Sequence, residues 1–99
     1  MDNASVIAAA GTLFPGGVNS PVRSFRSVGG GPVPIVRGEG PHVYDAEGRR
    51  YIDYVGAFGP LILGHAPAAI VGAVQAAAAD GTAFGAITAG EVELGRRIC

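Results

Sequence analysis

Hydrophobic and polar positions along the chain change period twice, and those changes mark its elements. Asn3 to Leu13 (NASVIAAAGTL) is small and apolar and predicts a short helix, with Asn3 or Ser5 as its cap. Gly11 weakens its end, and a helix of this length needs a surface to pack on. Pro34 to Gly38 (PIVRG), His42 to Asp45 (HVYD) and Arg50 to Val55 (RYIDYV) are short runs dominated by valine, isoleucine and tyrosine. Turn residues separate them, so they predict three strands of an antiparallel meander. Asp45 suits the first position of a type I turn, and Gly48 suits the left-handed residue that closes such a hairpin with a bulge. From Pro67 to Asp80 the period becomes helical: Ile70, Val71, Val74, Ala77 and Ala78 fall on one stripe, and Gly81 stops it. A last helix begins near Thr88, with Glu91 as its capping-box partner, and runs to Cys99. The predicted class is an α+β segment: a short N-terminal helix, a three-stranded antiparallel meander and two helices. No cap closes the last helix, so the chain is expected to be the front end of something longer.

The stretches between these elements carry the candidate chemistry. Pro15-Gly16-Gly17 stops the first helix, and Asn19-Ser20-Pro21 is turn chemistry, because serine before proline is pushed out of the α region. The turn delivers a hydroxyl, Ser20, and a guanidinium, Arg23, on one loop. A planar fork with a hydroxyl beside it can bind a carboxylate. Gly56-Ala57-Phe58-Gly59-Pro60 places one large aromatic between small residues. Phe58 could lie against a flat cofactor or substrate, or plug the edge of the meander. Val28-Gly29-Gly30-Gly31-Pro32 fails the dinucleotide fingerprint, since Pro34 stands where the last glycine should be.

Composition narrows the choices. The 99 residues make one domain at most, and 17 glycines with many alanines predict a thin core. A net charge of -1 gives no basic footprint for nucleic acid or for a membrane surface. Leu61 to Ala79 lacks formal charge but is mostly alanine and glycine, and reads as a loop followed by a soluble helix. The single cysteine, Cys99, permits no intrachain disulfide, and a cytoplasmic setting is expected. All seven basic residues are arginine, so no Schiff-base lysine and no Walker A lysine exist in the chain. Asp45 and Asp53 are expected to be structural or solvated, Asp53 beside Arg49 and Arg50. His42 and His65 lack a third ligand at metal spacing, and no metal site is expected. The residues alone identify no reaction and assign no catalytic residue.

Four segments in order, PGGVNSPVRSFRSVGG (Pro15 to Gly30), GEGPHVYDAEGRRYIDYVG (Gly38 to Gly56), GPLILGHA (Gly59 to Ala66) and GTAFGA (Gly81 to Ala86), carry a resemblance. Together they resemble the N-terminal part of the glutamate-1-semialdehyde aminomutase family, within the class III, fold type I pyridoxal-phosphate enzymes. The strand block is shared across class III aminotransferases, whereas GGVNSPVR is specific to the aminomutases. The resemblance implies residues 1–99 as a single N-terminal segment of a homodimeric enzyme whose α/β large domain binds pyridoxal 5'-phosphate or pyridoxamine 5'-phosphate. It implies a small amino-acid-derived substrate, with Ser20 and Arg23 at its carboxylate and Phe58 lining the pocket. The lysine and the cofactor contacts would lie outside this chain, leaving it inactive alone. Phe58 stands where that family has tryptophan, GHAP (Gly64 to Pro67) is one histidine short of its GHAHP, and GAIT (Gly85 to Thr88) replaces its GAPT. Another class III aminotransferase, or a non-catalytic fragment or interaction module, remains the alternative.

Overall fold

A computed structural model describes every residue, Met1–Cys99. Its contacts divide the chain into two compact units, Met1–Pro67 and Ala68–Cys99.

The first unit opens with helix α1, Asn3–Leu13. Its cap is Asp2, which corrects the expectation of Asn3 or Ser5: Asp2 is extended, and its carboxylate accepts the Ser5 N–H at 2.8 Å. Asn3 is thereby placed inside the first turn, where its amide is free to reach elsewhere. The meander follows as β1 (Ile35–Glu39), β2 (His42–Asp45) and β3 (Arg50–Ile52), in the order β1-β2-β3 with both pairings antiparallel. A bulge between Ile35 and Arg37 shifts the first register, pairing Arg37 with Tyr44, and the Arg37 guanidinium lies 3.8 Å over the Tyr44 ring. The β2–β3 turn closes as its residues require. Gly48 has φ 81 and donates its N–H to the Asp45 carbonyl at 3.0 Å, and the Asp45 N–H reaches Arg49 at 3.1 Å.

Strand β3 ends at Ile52, three residues short of the expected Val55. The reason is Asp53, whose Oδ1 accepts the N–H groups of Val55 and Gly56 at 2.9 and 3.1 Å and turns the chain out of the sheet.

No apolar side chain in the chain is buried; the only buried residue is Asp45, at 0% exposure. A meander this small has too little area to enclose a core, and alanine and glycine give it little volume to enclose. Polar contacts do the organising instead.

In the second unit, helix α2 spans Ala68–Asp80 and α3 spans Ala89–Ile98. Pro67 directly precedes α2. The α2 stripe is open, with Ile70 at 50% and Val74 at 61% exposure. Thr88 caps α3 in a complete capping box: its hydroxyl accepts the Glu91 N–H at 3.3 Å, and Glu91 accepts the Thr88 N–H at 2.8 Å. Arg96 and Arg97 occupy the last turn, where cations suit the helix dipole, and Arg97 pairs with Glu93 at 2.9 Å. No helix is long and apolar enough to cross a membrane.

Candidate functional site

The loop after α1 is shaped by two short turns and one strained residue. Pro15–Gly17 and Pro21–Ser24 form single 3-10 turns, each opened by a proline whose fixed φ suits that position. Ser20 is extended, as a residue before proline should be, and its carbonyl accepts the Arg23 N–H at 3.0 Å. Ser24 Oγ donates to the Pro21 carbonyl at 2.7 Å. Phe25 then takes φ 60, in the left-handed region, where an aromatic residue is an outlier that costs about 1–3 kcal/mol. That reversal sends Arg26 back across the loop until its guanidinium faces Gly16: a methyl built on Gly16 would lie 3.5 Å from Nη2.

The result is a concavity of about 690 Å³ bordered by Ser20, Ser24, Arg26, Ser27 and Asn19. Neither Arg23 nor Phe58 lines it. The structure therefore places Ser20 and Arg26 on one concavity, with Arg23 on the 3-10 turn outside its lining; both arginines are exposed.

Phe58 sits on a separate loop, 71% exposed. It and Ala57 are both left-handed, with φ 66 and 53, so a strained backbone holds an aromatic ring outward. Below that loop, Asp53 ties its start to the rest of the unit. Asp53 Oδ2 lies 2.6 Å from His65 Nε2, so Asp53, expected to be structural or solvated, is structural through a pairing with His65. The His65 hydrogen bond, reinforced by the Val55 and Gly56 N–H groups, holds the Asp53 carboxyl below its ordinary value. His65 is itself fixed by a two-way backbone bridge to Gly40, at 2.8 and 2.9 Å.

Asp45 anchors the other end. Its two oxygens accept the Glu47 and Arg49 N–H groups at 3.0 and 2.9 Å, Arg49 Nε at 2.8 Å, the Tyr51 hydroxyl at 2.9 Å and Asn3 Nδ2 at 2.9 Å. Burial would raise this carboxyl, but the Arg49, Asn3 and Tyr51 donors outweigh it and hold the group well below the usual carboxylate range. Asn3 completes the tie by accepting the Ala46 N–H at 3.1 Å. Helix α1, which carries the Pro15–Ser27 loop, is thus fastened to the hairpin through one amide.

The class-III aminotransferase family model matches residues 25–97, well over half of the chain. The chain belongs to the class-III aminotransferase family. It is 60% identical over 86 residues to a glutamate-1-semialdehyde 2,1-aminomutase from Nitrosomonas europaea, an alignment covering 87% of this chain and 20% of that protein. Among solved structures it is similar to a transaminase with PLP bound (TM-score 0.79, 39% identity), covering 91% of this chain and 20% of that one. It also resembles a β-phenylalanine aminotransferase from Variovorax paradoxus (TM-score 0.86, 29% identity), covering 98% and 22%. The chain spans about a fifth of the length of the relatives it matches.

Class-III aminotransferases depend on pyridoxal phosphate, whose aldehyde is held by an amine. This chain has arginine at all seven basic positions and no lysine. What it offers is guanidinium and hydroxyl groups on a strained loop, suited to an anion.

Sequence reasoning missed Arg26, the Asn3–Asp45 clamp and the Asp53–His65 pair. The first had no signal, because nothing in RSFRS announces a left-handed phenylalanine. Asp45 did have one: Arg49 and Tyr51 are two apart, so both reach the same side of the hairpin.

Proposed function

We propose that this chain is the substrate-facing N-terminal segment of a glutamate-1-semialdehyde 2,1-aminomutase. That enzyme isomerises glutamate 1-semialdehyde to 5-aminolevulinate, moving an amino group between neighbouring carbons in tetrapyrrole biosynthesis. Pyridoxal phosphate supplies the amino-transfer chemistry from a large domain outside residues 1–99, in a cytoplasmic homodimer. Here the chain contributes Ser20 and Arg23 at the substrate's carboxylate and Phe58 on the pocket wall. The observation that carries the reading is the 60% identity over 86 residues to the Nitrosomonas europaea aminomutase. The likeness to a β-phenylalanine aminotransferase favours a second reading, transfer from a different amino donor.

The two readings separate by turnover. The enzyme expressed from the full reading frame that contains this segment, loaded with pyridoxal phosphate, is expected to form 5-aminolevulinate from glutamate 1-semialdehyde. Arg23→Gln should weaken that reaction. Amino transfer from β-phenylalanine to a keto acid, with no 5-aminolevulinate formed, would replace the aminomutase reading with the second. The 99-residue chain mixed with pyridoxal phosphate should show no protonated-aldimine absorbance, and a stable band of that kind would refute the assignment of the reactive amine to another part of the enzyme.

A further inference from the structure

The stretch that carries Phe58 is held by polar bonds. Tyr54, Val55, Phe58, Ile62 and Leu63 are all exposed, so no apolar packing fixes its shape. Its backbone is nevertheless in a costly state. Ala57 and Phe58 take φ of 53 and 66, and left-handed residues other than glycine persist only where their surroundings over-determine them. The bonds that do so start at Asp53. Its Oδ1 accepts the Val55 and Gly56 N–H groups at 2.9 and 3.1 Å, and the carbonyls of those same two residues accept the Phe58 and Gly59 N–H groups at 3.0 and 3.1 Å. The Asp53 N–H donates to the Pro41 carbonyl at 2.9 Å, and Oδ2 lies 2.6 Å from His65 Nε2. His65 ends the stretch, and its backbone bridge to Gly40 fixes it beside Pro41. One residue therefore fastens the stretch at its start, through Pro41, and at its end, through His65.

We propose that Asp53 is the positioning residue for Phe58: through the Val55–Gly56 turn and His65, it holds the ring where it sets the affinity for substrate. This rests on the reading above that Phe58 lines the substrate pocket, and it names the residue that keeps that wall in place. Asp53 acts through the loop and not on the substrate. Without its carboxylate the left-handed turn loses the bonds that offset its strain and relaxes, leaving the ring in place in only a fraction of molecules. Affinity falls by that fraction, while turnover in the molecules that do bind is preserved.

The test is a double-mutant cycle in the full-length enzyme loaded with pyridoxal phosphate, run on whichever of glutamate 1-semialdehyde and β-phenylalanine the wild type turns over. D53A should raise KM about tenfold, with kcat within about threefold of wild type. D53N keeps an oxygen for the two N–H groups and can bond the other His65 tautomer, so its KM should stay within about threefold of wild type. In an F58A background, D53A should change KM by less than about twofold, because the ring it positions is gone. H65A frees Oδ2 alone and leaves the backbone bridge to Gly40. It should raise KM about threefold, again only while Phe58 is present, and it carries the test if D53A does not fold. A KM rise of equal size with and without Phe58 overturns the inference and leaves Phe58 on the pocket wall, as does a wild-type KM in both D53A and H65A. F58A with the wild-type KM takes Phe58 off the wall and overturns the inference together with that reading. Which substrate the wild type consumes judges the aminomutase reading separately.

Discussion

Replacing Gly38 by alanine should break the contact that holds the Phe58 loop to the meander. Gly38 lies in β1 opposite Val43, and the His65 side chain occupies the space that a Cβ on Gly38 would need. A methyl group there would meet Cγ, Nδ1 and Cβ of His65 at less than 3.0 Å, a distance real side chains do not sustain. The ring has little room to yield, because the Gly40 bridge fixes its backbone and Asp53 holds Nε2 at 2.6 Å. Overpacking of this kind costs about 1–3 kcal/mol. In a chain of this size 1 kcal/mol lowers the melting midpoint by about 4–8 °C, so a fall of at least about 4 °C is expected. Tyrosine fluorescence suits the assay, since the chain has three tyrosines and no tryptophan, and Tyr51 bonds Asp45. Gly11→Ala is the control. Nothing lies within 4 Å of a methyl at Gly11 and its φ is ordinary, so the helix should gain about 0.5–1 kcal/mol. Gly38→Ala melting at the wild-type temperature, with the His65–Asp53 bond intact by NMR, would refute the packing argument.

Two further outcomes follow from the polar contacts. Asp53 and Asp45 both have folded values lowered from the ordinary carboxylate value, so their contribution is complete above about pH 4 and lost as pH falls through the lowered values. Acid titration of the tyrosine signal should be flat down to about pH 4 and fall below it, and Asp45→Asn should remove part of that fall. A curve for Asp45→Asn superimposable on wild type would contradict the anchoring role. Thr88→Ala removes the hydroxyl of the α3 capping box and should cost about 1 kcal/mol, read as faster amide exchange at Glu91. Unchanged exchange there would show the cap to be idle.

Much of this architecture was legible from pattern. Helix α1 and the second and third helices follow from apolar spacing and the Thr88 and Gly81 signals, and the β2–β3 turn follows from Asp45 and Gly48. Local chemistry decided those elements, so local reading found them. Its failures share a cause. Asn3 and Ser5 are both common cap types, but Asp2 accepts the Ser5 N–H and leaves Asn3 for a partner 42 residues away. The residues of RYIDYV favour a strand throughout, but the Asp53 carboxylate accepts the N–H groups of Val55 and Gly56 and ends it. Asp53 follows Arg49 and Arg50 closely in sequence, yet its partner is a histidine 12 residues on. The loop was legible as a guanidinium-and-hydroxyl site. Which arginine borders the concavity depends on the sign of φ at Phe25, which residue identity does not specify.

The claim at the centre of this account is that the Pro15–Ser27 loop reads a substrate carboxylate. It is tested most directly by steady-state turnover in the full-length enzyme of glutamate 1-semialdehyde and of the same aldehyde with its carboxylate masked as a methyl ester. Loss of a charge-assisted contact to one guanidinium predicts a kcat/KM about ten- to a hundredfold lower for the ester, carried mainly by KM. Equal kcat/KM for the two compounds would contradict the claim.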